Sequence, residues 1–298
     1  MGLRPENTLA SFAHALELGV DALELDVGLS SDGEAVITHD PVISATTTRD
    51  TAAAFTGDPL FPYVGRRLVD LTLGQLRMLD VGGRRRADPE ADPFVGTQVP
   101  VPGSRMPTLA EVIALLRTYR ADRVRLTVEL KSVASAGGIS AGPRELTERV
   151  VTVLADEGFL NRVSLQSFDW RVLRHARDLI PAVPRNALVE PKTLVPGSPW
   201  LDGLDLADFG GDVAAAAAKA GADALAARRD LVDEPLMRAA WDRGLPVIAW
   251  TVNEPAEMSR LIDLGVSALI TDYPNRLRAV MLDHGMRLPR AYAATVPV

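Results

Sequence analysis

The sequence predicts an α/β protein of the (β/α)8 barrel type, one strand short of closure. Two observations predict it. The segments Gly19-Val20-Asp21-Ala22-Leu23, Gly221-Ala222-Asp223-Ala224-Leu225 and Gly265-Val266-Ser267-Ala268-Leu269 are near copies, each ending a helical apolar pattern and opening a strand-like run. Glycine accepts the left-handed backbone that stops a helix. Helix, glycine and buried strand in repetition is the pattern of a parallel β/α chain. The second observation is the element count. Strand candidates lie at 22–27, 124–131, 162–168, 186–189, 223–227, 246–252 and 267–271. Closure needs eight strands, one more than these.

Taken in order, the first helix has Asn7 placed to cap it, with Leu9, Phe12, Ala13 and Leu16 at i, i+3, i+4 and i+7. Gly19 stops it. The remaining helix candidates are 108–118, 144–157, 170–178, 212–220, 234–243, 255–264 and 274–285. Residues 40–107 break the rhythm. They are rich in Pro, Gly, Asp and Arg, with one short helix candidate around Leu73–Leu79. Loops of this length are usually functional or disordered. The expectation is one barrel domain over 1–298, with 40–107 an insertion that covers the barrel mouth.

Composition sets outer bounds. The chain has 298 residues, 47% hydrophobic and 24% charged, with a formal net charge of −7 and no cysteine. The apolar share supports a full-sized core. Zero Cys excludes a disulfide framework, a thiol nucleophile and a Cys-ligated zinc or iron–sulfur site. The acidic balance argues against a nucleic-acid partner, and Arg84-Arg85-Arg86 reads as a solvated loop. No run approaches the ~18 apolar residues of a membrane span. Met1-Gly2-Leu3-Arg4-Pro5-Glu6 does not read as a signal peptide. As written the chain would be cytoplasmic; an N-terminal piece carrying a signal peptide would make it periplasmic or secreted.

In Leu23-Glu24-Leu25-Asp26-Val27 two carboxylates stand at i and i+2, on one face of a strand. They are either on a solvent-exposed edge or part of a hard-metal site, because Ca²⁺ and Mg²⁺ take carboxylate oxygens. Ser31-Asp32-Gly33 then signals a hairpin between Val27–Ser30 and Glu34–Thr38. A turn centred between Asp32 and Gly33 would put Asp26 opposite His39. A histidine returned to an acidic cluster suits general acid–base work, since its pKa lies near neutrality. Glu129 and Lys131 share a face in the same way. They form an exposed ion pair, or else supply a third carboxylate and a cation for an anion such as phosphate. Trp250, at the end of another strand, walls a substrate pocket or packs in the core. His14, His175 and His284 read as surface residues on helices.

Together these segments resemble the glycerophosphodiester phosphodiesterase family over nearly the whole chain. The resemblance rests on Pro5-Glu6-Asn7-Thr8-Leu9, Glu24-Leu25-Asp26-Val27, Asp32-Gly33, His39-Asp40-Pro41, Leu71-Thr72-Leu73, Pro107-Thr108-Leu109, Glu129-Leu130-Lys131, Gln166-Ser167-Phe168, Trp250-Thr251-Val252-Asn253 and Thr271-Asp272-Tyr273-Pro274, in that order. It implies a TIM barrel with the first strand missing and with 40–107 an insertion after the second strand's hairpin. It also implies that Glu24, Asp26 and Glu129 hold a divalent cation, Ca²⁺ or Mg²⁺, that His39 is one of two catalytic histidines, that Lys131 contacts the phosphate, and that Trp250 lies beside the substrate. The activity implied is hydrolysis of a small glycerophosphodiester to glycerol 3-phosphate and an alcohol. The family's opening strand, ending in His-Arg-Gly and carrying the other catalytic histidine, is absent from this sequence. The expectations that follow are a misplaced start or a degenerate enzyme of impaired activity. The rivals are a non-catalytic phosphate- or polyol-binding barrel and a phospholipase D-like enzyme acting on lysophospholipids.

Overall fold

The structure is a computed structural model and describes residues 1–84 and 92–294. In chain order it contains α1 (Leu9–Leu18), β1 (Ala22–Leu29), β2 (Ala35–Ile37), β3 (Arg49–Asp50), α2 (Leu73–Leu76), β4 (Leu79–Asp80), α3 (Leu109–Thr118), β5 (Arg125–Leu130) and α4 (Pro143–Asp156). There follow β6 (Val163–Ser167), α5 (Trp170–Leu179), β7 (Arg185–Val189), α6 (Val213–Ala220), β8 (Ala224–Arg228), α7 (Glu234–Trp241), β9 (Val247–Trp250), α8 (Pro255–Asp263), β10 (Ala268–Leu269) and α9 (Pro274–Asp283). Eight of these strands form one curled sheet in the order β10-β9-β8-β7-β6-β5-β1-β2, and β3 and β4 pair in a separate two-stranded sheet. In the large sheet every ladder is parallel except that of the β1–β2 hairpin. The seven parallel strands are the seven the sequence predicts. Among the described residues no ladder joins β10 to β1.

Strand alternation decides which side chains reach the interior. Leu23, Leu25 and Val27 pack outward with Leu126, Val128 and Leu130 against α1, α3 and α4 in one fully apolar cluster. Ala187, Val189, Leu225, Ala227, Val247 and Ala249 do the same in a second cluster with Trp170, Ala217 and Leu261. Because successive side chains point to opposite faces, the residues between them face inward: Glu24 and Asp26, Glu129, Gln166, Asn186, Arg228 and Trp250. The apolar positions thus fix the polar ones.

The segment 40–107 has its own small core of Ile43, Tyr63, Leu68, Leu71, Leu76, Leu79 and Met106, joined to the sheet through Val36. The Asp58 carboxylate accepts from the Tyr63 hydroxyl at 2.6 Å and the Gln75 amide at 2.9 Å. A Cβ on Gly28 would lie 2.4 Å from Leu68 Cδ2, so the glycine lets the Leu68 side chain pack directly on β1. Arg84 is not solvated as expected. Its guanidinium sits 2.6 Å from Glu6 and over the Phe94 ring, because Glu6 and Asp92 offer it carboxylates. Arg85 and Arg86 lie outside the described residues.

Three further expectations are corrected. The helix cap is Thr8, not Asn7: Thr8 Oγ1 accepts from Ser11 N and the Ser11 hydroxyl lies 3.3 Å from Thr8 N. Thr8 has the extended backbone a cap requires, whereas Asn7 is left-handed at φ 54°. Thr8→Ala is expected to cost about 1 kcal/mol, read from the shift of a urea unfolding midpoint. His175 is buried, not on the surface, and that burial lowers its pKa. It lies on α5, which packs against α4. Finally, the β1–β2 register pairs Val27 with Ile37 and Leu29 with Ala35. Asp26 therefore stands opposite Thr38, whose N–H donates to the Asp26 carbonyl at 3.0 Å, and not opposite His39. The turn encloses five residues, with Ser30 N–H donating to Glu34 O, so its centre falls on Asp32.

Candidate active site

β1 and β5 are neighbours, and their register sets Asp26 beside Glu129. Glu24, Asp26 and Glu129 each bring one carboxylate oxygen within 4.8 Å of the others. Lys131 crosses this group, with Nζ 2.8 Å from Glu129 Oε1 and 3.4 Å from Asp26 Oδ1. Asn7 Nδ2 donates to Asp26 Oδ2 at 2.9 Å, and Gln166 Nε2 donates to Glu24 Oε1 at 3.0 Å. The sheet thus supplies the carboxylates and the α1 entry loop supplies Asn7.

Three acids and one lysine leave an excess of negative charge in a desolvated place. Burial, then the Asp26 and Glu129 charges, push the Glu24 carboxyl well above its ordinary range. Glu129 is raised as well, by burial first. Burial also opposes ionisation of Asp26, but Lys131, His39 and the Asn7 amide outweigh it and hold Asp26 below the usual value. The acids that flank it push the Lys131 ammonium above its ordinary value against the effect of burial.

His39 lies just past β2, half-exposed, with Nδ1 2.7 Å from Asp40 Oδ1. That hydrogen bond raises its pKa, with help from Asp26 and Glu129 and against Lys131 and burial. With Nδ1 engaged, Nε2 is the nitrogen left for a substrate. His39, Asp40, Glu6, Asn7, Thr48 and Met106 line a cleft open to solvent. Trp250 stands further round the mouth. Its indole N–H donates to Ala226 O at 2.9 Å, and its ring meets Phe168 edge-to-face at 5.4 Å. The inward face of the sheet carries Glu24, Asp26, Glu129 and Trp250, while Lys131 and His39 follow just past the ends of β5 and β2. The acids and Lys131 are in mutual contact; Trp250 touches none of them.

The family model of the glycerophosphoryl diester phosphodiesterases matches residues 1–276. The chain belongs to that family. A glycerophosphodiester phosphodiesterase of Caldanaerobacter subterraneus is 28% identical over 92% of this chain and 90% of its own. A solved Silicibacter pomeroyi structure, assigned to the glycerophosphoryl diester phosphodiesterases, is 31% identical with a TM-score of 0.80 over 96% of this chain and 91% of that one. An Oleispira antarctica phosphodiesterase, solved in complex with the product sn-glycerol-3-phosphate, is 25% identical with a TM-score of 0.66 over 94% and 92%.

The donor set of this glycerophosphodiester phosphodiesterase family member fits a hard divalent cation. Three carboxylates converge, and such oxygens are what Ca²⁺ and Mg²⁺ accept. One buried side-chain oxygen beside them, Gln166 Oε1, has no hydrogen-bond partner. Two contacts escaped the reading of individual residues. Asn7 looked like a helix cap. Gln166 drew no role, although Ser164-Leu165-Gln166 alternates polar and apolar as an inward strand does.

Proposed function

We propose that this chain is a divalent-cation-dependent glycerophosphodiester phosphodiesterase, taking a small glycerophosphodiester and water to glycerol 3-phosphate and an alcohol. The observation that carries the reading is the three-carboxylate cluster crossed by Lys131, with His39 and its Asp40 partner at the adjoining cleft. Membership of the family supports it. Glu24, Asp26 and Glu129 would hold Ca²⁺ or Mg²⁺, which when bound stabilises negative charge developing on phosphoryl oxygens.

The protein's own groups do the rest. Lys131 has three protons and spends two on Glu129 and Asp26, so the third is free for a phosphate oxygen. Its neighbours keep it charged at any physiological pH. Asp40 fixes the His39 ring through Nδ1, and Nε2 moves a proton to or from an alcohol oxygen of the diester. Trp250 offers an apolar wall beside the reacting group. No helix among the described residues is long and apolar enough to cross a membrane.

The test is enzymatic detection of glycerol 3-phosphate released from glycerophosphoglycerol, glycerophosphocholine and lysophosphatidylcholine. Release from the first two with little action on the third supports the reading. Choline release from lysophosphatidylcholine alone moves the assignment to a lysophospholipase D, and binding without turnover moves it to a binding barrel. In the same assay His39→Ala is expected to lower kcat by about 10²–10⁴ with a smaller change in KM.

A further inference from the structure

The barrel mouth carries a second constellation, on the side away from His39. Phe168 follows Gln166 at i+2, just past the end of β6, and so continues the inward face that carries Gln166 toward Glu24. Its ring meets Trp250 at 5.4 Å and Trp200 at 6.4 Å, both edge-to-face. The three rings are half-buried and form a ledge leading away from the acidic cluster. Trp250 is paired in register with Arg228 on β8.

At the far side of the ledge Glu190, just past β7, is buried, and each of its oxygens is held by a different cation. Lys192 Nζ is 2.6 Å from Oε1, and Arg228 Nη1 is 3.5 Å from Oε2. The Lys192 ammonium also lies 6.0 Å from the Phe168 ring centre and is largely exposed. The Arg228 fork is completed by Asp230 at 2.6 Å. The formal charges of Lys192, Arg228, Glu190 and Asp230 cancel. None of these groups takes part in the mechanism above.

We propose that this ledge and its Glu190–Lys192–Arg228 rim are the subsite for the leaving alcohol, and that it takes an uncharged polyol head group in preference to a cationic one. The inference rests on the phosphodiesterase reading. A hydroxyl group both donates and accepts, so a polyol can accept from the spare Lys192 protons while donating to the remaining Glu190 lone pairs. Its C–H edges can lie on the aromatic faces. A quaternary ammonium would find the Phe168 face already shared with Lys192 and would meet two cations. It cannot form hydrogen bonds to displace either from Glu190. The carboxylate that would attract it is therefore already neutralised.

The test compares four diesters, those of glycerol, myo-inositol, ethanolamine and choline, with the full chain in Ca²⁺ or Mg²⁺. Initial rates are measured together with binding, read by quenching of tryptophan fluorescence. The expected result is a preference of roughly tenfold or more for the two polyol diesters over the two cationic ones. That preference should shrink several-fold in K192A/R228A and in Glu190→Gln. Equal or better use of the choline diester overturns the subsite, as does a preference that neither variant moves. If no diester binds and free glycerol 3-phosphate does not bind either, the phosphodiesterase reading fails. If all four are used equally, only the subsite fails.

Discussion

Lys131→Met is expected to destabilise the metal-free protein by about 3–5 kcal/mol, because it removes the cation from a buried group of carboxylates and leaves their charge uncompensated. The lysine's role is visible in its distances, 2.8 Å to Glu129 and 3.4 Å to Asp26, and in the burial of both partners. Methionine keeps much of the volume and none of the charge, so the loss reports electrostatics and not packing. Millimolar Ca²⁺ or Mg²⁺ should restore part of the loss if the carboxylates take the cation. The check is urea unfolding in chelator and in divalent cation. A variant as stable as the wild type in chelator contradicts the assignment of Lys131 as the charge that holds this cluster together.

Removing a carboxylate has the opposite sign. Glu24→Gln should stabilise the metal-free protein by on the order of 1 kcal/mol, while Glu24→Ala and Glu129→Ala should abolish cation-dependent hydrolysis. The folded Glu24 carboxyl titrates above its unfolded value, through burial and the charges of Asp26 and Glu129. The folded state then binds more protons than the unfolded state between those two values. Stability from this group is therefore present below the unfolded pKa and falls as pH rises toward and past the folded one. A neutral amide removes that cost at neutral pH. Loss of one of three ligands should weaken the cation by at least a hundredfold, since even outer partners of ligands are worth about 10–100-fold. Isothermal titration with Ca²⁺ and Mg²⁺ measures the affinity, and melting in chelator measures the stability change. Unchanged cation affinity in both alanine variants rejects the ligand assignment.

The parts of the site legible in the residues are those that strand periodicity controls. Glu24 and Asp26 at i and i+2, between apolar residues that pack outward, could only face inward once the sheet curled. Glu129 followed by the same rule, and parallel pairing of β1 with β5 brought the two strands together. What escaped depends on geometry that periodicity does not carry. The hairpin register slipped by one because a five-residue turn and a four-residue turn present the same Ser-Asp-Gly signal, and only the Ser30–Glu34 hydrogen bond separates them. Asn7 read as a cap because Asn is a good cap. It instead adopts a left-handed backbone and spends its amide on Asp26, leaving Thr8 to close the helix. His175 was misplaced because burial on α5 depends on how α4 packs against it. The Glu190–Lys192–Arg228 rim was invisible because its members come from separate strands and loops and meet only at the barrel mouth.

In the proposed function the inward carboxylates and a divalent cation together drive hydrolysis of a glycerophosphodiester. Following glycerophosphoglycerol by ³¹P NMR, first in Ca²⁺ or Mg²⁺ and then with excess chelator, tests it most directly. The expected result is conversion of the diester signal to that of glycerol 3-phosphate with the cation present and none in chelator. An unchanged diester signal in both cations, or conversion that chelator leaves untouched, contradicts it.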